Sequence, residues 1–116
     1  MSASQRSALA SQIARIVEHL LKLIYSPAIE PRAGWLDSID DGRAQIRRLL
    51  DDSPSLRREL GTIVDRNAVH DARIVVRKLG RHGELDRERS SAILGHRFST
   101  DEVVSDWLPL GVDLGR

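Results

Sequence analysis

Three residues in the first half of the chain are of types that could do chemistry together. His19 could act as a general base or a metal ligand, Trp35 offers a flat apolar face, and Arg43 offers a permanent cation for an anion. Converging, they would form a small-ligand or enzymatic site. The simpler expectation is structural for each. His19 falls at the edge of an apolar helical stripe, near Gln12 and Leu23, where it would bond across to the next helix or its linker. No second histidine stands at ligand spacing on that helix, and His70, His82 and His96 are scattered. A zinc site needs three or four converging ligands, so no metal and no cofactor is expected. Arg43 is expected to pair with a carboxylate such as Glu18 or Asp71. Trp35 and Trp107 are expected as core anchors at helix ends.

The remaining charged motifs point to surface. Arg47, Arg48, Arg57 and Arg58 could make a basic patch for nucleic acid. Asp51, Asp52 and Glu59 interleave with them, and a net charge of +1 supplies no steering field, so nucleic-acid binding is disfavoured. Asp40-Asp41 and Asp51-Asp52 are adjacent on helices, where side chains diverge rather than share a pocket. Asp51 and Asp52 follow Arg47 and Arg48 by four residues, the spacing of surface ion pairs. Neither a glycine-rich phosphate loop nor a nucleophilic-serine turn is present.

The elements that must position these residues are helical. Leu9, Ile13, Ile16, Val17, Leu20, Leu21 and Ile24 recur at spacings of three and four, predicting a helix from about Ser4 to Ser26 that Pro27 stops. Arg15, Glu18 and Lys22 fall on its opposite side. A second helix is predicted from Gly34 or Trp35 to about Asp51. Gly42 is its weak point, calling for close packing by a neighbour or a bend. Ser53-Pro54 reads as a cap and first turn of a third helix reaching Leu79, with Gly80 in the left-handed closing position. His82-Gly83 reads as a turn, and Ser90 to Leu94 as a short helical turn docking Ile93 and Leu94. Ser99 and Glu102 form a capping box for a last helix to about Trp107, before Pro109.

The block His19-Leu20-Leu21-Lys22, with Pro27 after it, then Trp35, Ser38, Ile39 and Arg43, then Ser53-Pro54-Ser55-Leu56, resembles the bacterial family catalogued as domain of unknown function 29. Trp107-Leu108-Pro109 is a second, weaker match. The resemblance spans about Gln5 to Pro109. It implies an all-helical domain and implies no reaction. Members of that family usually carry an acidic, aromatic-containing segment before the first helix, absent here. They tend to have an aromatic where Leu23 stands, and acidic residues where Arg77 and Lys78 stand. The missing segment would leave part of the first helix's apolar stripe uncovered.

With 116 residues and no cysteine, the chain reads as one helical domain of a reducing cytoplasm, three long helices and a short C-terminal one, with residues 110–116 as a loose tail. The long helices are expected to pack antiparallel in sequence order. The longest apolar run is too short to span a bilayer, and aromatics at 3% are too few for a single-strand stacking platform. The leading expectation is a non-enzymatic interaction module that self-associates or binds a protein partner through the first helix. The alternative is the site at His19, Trp35 and Arg43.

Overall fold

The first apolar set folds as α1, Ala3–Tyr25, and Leu9, Ile13, Ile16 and Leu20 have no exposed surface. The structure, a computed structural model, describes residues 3–109, so the expected tail lies outside the described residues. After α1 come α2 (Arg32–Asp52), a 3-10 turn (Pro54–Glu59), α3 (Leu60–Arg81), α4 (Arg87–Gly95) and α5 (Thr100–Val104). The fold is all-α, with no strand among the described residues. Among the described residues no helix is long and apolar enough to cross a membrane.

Helix α1 is the central element. Arg15 donates to Ser38 and Gln5 to Ser53, so α2 lies antiparallel beside it. Arg6 meets Glu59 and Glu18 meets Lys78, so α3 runs parallel to α1 along its other flank. Helices α2 and α3 scarcely touch each other. The three long helices therefore alternate in direction as expected, but α2 and α3 pack on opposite flanks of α1 rather than against each other. The wedge between α2 and α3 is filled by the C-terminal segment: α5 contacts α1, α2 and α3, and Ile93, Phe98 and Val103 join the core.

This filling overturns the expectation of an uncovered stripe on α1. Val17, Leu21 and Leu23 are buried as well, and each such side chain contributes about 1.5–3 kcal/mol over leaving it in water. Leu23 takes the buried place expected for Ile24, which is only half-buried. The polar side of α1 is not a solvated face either, since Glu18 and Lys22 are each largely covered where α3 approaches.

The helix ends show which sequence signals acted. Pro31 begins α2 earlier than expected, because its missing N–H is no loss at a helix start, and Trp35 N–H bonds its carbonyl. Ser53 does not cap the next helix. Its hydroxyl accepts from Gln5, and Pro54–Glu59 winds as 3-10 before α3 proper. Gly80 is ordinary helix, and the left-handed residue is Gly83, at φ 69°. Glu84 N–H reaches Leu79 O and Gly83 N–H reaches Gly80 O, the paired bonds of a Schellman ending. The Ser99–Glu102 capping box forms in both directions, worth about 1 kcal/mol to so short a helix. That helix stops at Val104, short of Trp107. Ile93 docks on the core as expected, whereas Leu94 remains 38% exposed.

Candidate functional site

The three residues singled out by type go to three different places. Arg43, 4% exposed, sits on α2 under the end of α5. Its Nε donates to Val103 O at 2.9 Å, and one terminal nitrogen donates to Glu102 O at 2.9 Å and Trp107 O at 2.7 Å. Its partners are main-chain carbonyls, not Glu18 or Asp71, because the last carbonyls of a short helix have no partners within it. The guanidinium is a clasp on the C-terminal segment, with no surface left for a ligand. Burial works against its charge, and Asp40 and Asp106 nearby offset part of that.

His19 stays on its own helix. Its Nδ1 lies 2.6 Å from Arg15 O, so that nitrogen carries the proton and Nε2 is the acceptor of the neutral ring. Burial holds its pKa below the usual histidine value, partly opposed by the Arg15 hydrogen bond. It lines a cavity of about 260 Å³ between α1 and α3.

Trp35 forms part of a larger groove, about 490 Å³, where the α1–α2 linker meets the end of α3. Its walls carry Lys22, Pro31, Trp35, Lys78, His82 and Glu84. Lys22 Nζ lies 5.9 Å from the centre of the Trp35 ring, within cation–π range. Lys22 and Lys78 share Glu18, at 3.1 and 2.7 Å. Although burial opposes it, these two lysines hold the Glu18 carboxyl below the usual carboxylate range. Glu84 accepts from Ser26 at 2.9 Å. Each ammonium has three donors, so bonding Glu18 leaves capacity directed to the groove. His19 and Trp35 thus line different cavities, and Arg43 lines neither.

The surface charges also differ from expectation. Asp51 and Asp52 form no ion pair with Arg47 or Arg48. Asp41 instead faces Arg15 of α1 at 3.6 Å. Arg47 and Arg57 do come together, in a groove of about 310 Å³ that Asp51 shares.

Sequence spacing missed an aromatic series joining the end of α1 to the C-terminal segment. Tyr25 OH lies 2.8 Å from His96 Nδ1, and the two rings meet edge-on. His96 lies 4.4 Å from Phe98, and Phe98 lies 6.0 Å from Trp107, centre to centre. These residues are dispersed from 25 to 107, so no local period reveals them. Burial lowers the His96 pKa, partly offset by Glu102.

A pH dependence follows. His19 and His96 both have folded pKa values below their unfolded value of about 6.5. Their contribution to stability is therefore present above that pH and is lost as pH falls through the folded values. Urea midpoints measured from about pH 7.5 down to 5.5 should decline, and ring proton NMR should place both midpoints below 6.5. A midpoint that stays level or rises over that range would contradict the assignment.

A family model described as Domain of unknown function DUF29 matches residues 1–103. No curated protein and no solved structure matches the chain.

Proposed function

We propose that this chain, which belongs to the DUF29 family, is a non-enzymatic helical binding module whose site is the groove beside Trp35. The supporting observation is the pair of lysines anchored on Glu18 in the wall next to the tryptophan ring. An indole face with Pro31 beside it and two ammonium groups held on Glu18 complements a small anion that has a planar apolar body. The ring would take the flat part, and Lys22 and Lys78 the carboxylate or phosphate end.

The reading moves the binding surface away from the apolar stripe of α1, which is used internally, to the polar side that carries Lys22. The test is a titration of isotope-labelled protein with 1-naphthoate, with 1-naphthalenemethanol as the uncharged control. Saturable shifts at the Trp35 indole and at His82 and Gly83, weakened by Lys78→Gln, are expected with the acid alone. Absence of saturation at millimolar acid, or equal response to the alcohol, would sink the reading.

A further inference from the structure

We propose that the smaller cavity, between α1 and α3 over Asp71, is a binding site for a small organic cation of the amine or amidine class. This site is separate from the Trp35 groove and does not depend on that reading.

Asp71 lies on α3 and is 3% exposed, yet its Oδ2 has no hydrogen-bond partner among the protein's atoms. A buried carboxyl left without partners is costly, so natural folds pair such groups or use them. Asp71 is itself among the residues lining the 260 Å³ cavity, together with Ser11, Ala14, Arg15, Glu18, His19 and Ile74.

The other charged groups of the wall are already engaged. Arg15 is turned to α2, where it bonds Ser38 at 2.8 Å and faces Asp41. Glu18 is held by Lys22 and Lys78. What remains for a ligand is rich in acceptors. Asp71 offers an unused carboxyl oxygen, Ser11 offers a hydroxyl, and the neutral His19 ring offers Nε2 because its Nδ1 proton is committed to Arg15 O. Ala14 and Ile74 add apolar wall. A ligand matching this set carries several N–H donors and positive charge on a compact body. An anion would meet the Asp71 and Glu18 carboxyls with only the engaged Arg15 to receive it.

The state of Asp71 agrees with this complement. Burial raises its pKa, Glu18 raises it further, and His70 opposes both. A bound cation would reverse that direction by favouring the ionised carboxylate.

The experiment uses the full chain and benzamidine, with benzamide as the uncharged analogue of similar shape. Saturable amide shifts are expected at Ser11, His19 and Asp71 with benzamidine, and the Trp35 indole should not move. The side-chain carboxyl carbon of Asp71 should titrate at lower pH when benzamidine is bound. Asp71→Asn should weaken binding at least tenfold. If that variant fails to fold, the carboxyl titration in the unaltered chain decides. Lack of saturation, equal binding of benzamide, or an Asp71 titration that benzamidine does not lower would overturn the proposal.

Discussion

Arg43→Ala is expected to lower stability by about 3 kcal/mol and the melting temperature by about 10 °C, a large fraction of a typical domain's margin. The physical reason is the number of groups abandoned at once. Val103, Glu102 and Trp107 each lose a charge-assisted donor to the main-chain carbonyl, the Val103 bond being fully buried. Removing the long stem also leaves a void beneath the segment that closes the core. Arg43→Lys tests geometry separately from charge. A single ammonium cannot reproduce the planar fork that reaches carbonyls on both sides, so it should recover less than half of the loss. Calorimetry gives the magnitude, and amide exchange gives the location: protection should fall first between Val103 and Trp107. A Arg43→Ala protein melting within about 2 °C of the parent would show that the clasp contributes little.

Gly42 carries the second large effect, with the sign opposite to helix propensity. Alanine in a helix interior is worth about 1 kcal/mol over glycine. At this position an added Cβ would lie 2.9 Å from Ile16 Cγ1 and 3.3 Å from its Cδ1. Ile16 is fully buried, and Cγ1 is fixed close to its backbone, so relief requires α1 and α2 to move apart. Gly42→Ala should therefore destabilise by about 1 kcal/mol net, and Gly42→Val by about 3 kcal/mol. Ile16→Ala alone should cost about 2–5 kcal/mol through the cavity it opens. Combined with Gly42→Ala it should cost less than the sum by about 1 kcal/mol, since the new methyl enters the vacated space. Urea denaturation of the four proteins closes this cycle, and strict additivity would show that the two residues do not press on each other.

The helices were legible because their apolar residues repeat at spacings set by the backbone itself. The close approach at Gly42 was legible as one of two alternatives, since a glycine inside a helix signals either packing or bending. Arg43 was legible as a structurally paired residue and not by partner. Its partners are peptide carbonyls, and any residue type presents the same carbonyl, so no side chain marks them. Glu18 and Lys22 were legible as the side of α1 opposite its apolar stripe, but their joint pairing with Lys78 was not, because the wheel of α1 cannot show Lys78 arriving from α3. The glycine closing α3 was misplaced from 83 to 80 because both glycines permit the turn, and the bonds to Leu79 O and Gly80 O decide between them. Of the candidate site, Trp35 was legible as a residue. Its companions Lys78, His82 and Glu84 were not, since only the parallel course of α3 brings them there.

The parallel placement of α3 and the late insertion of α5 have a consequence for the nascent chain. Synthesis proceeds from the N-terminus, so α1 emerges before α2, α3 and α5, and its buried face needs residues as distant as Val103. Helix α2 can cover one flank as an early hairpin, but the wedge beyond it stays open until nearly all of the described chain has left the exit tunnel. During that interval the long helix richest in buried apolar side chains waits for α5 as its final neighbour, so exposure to aggregation lasts until α5 has emerged and docked.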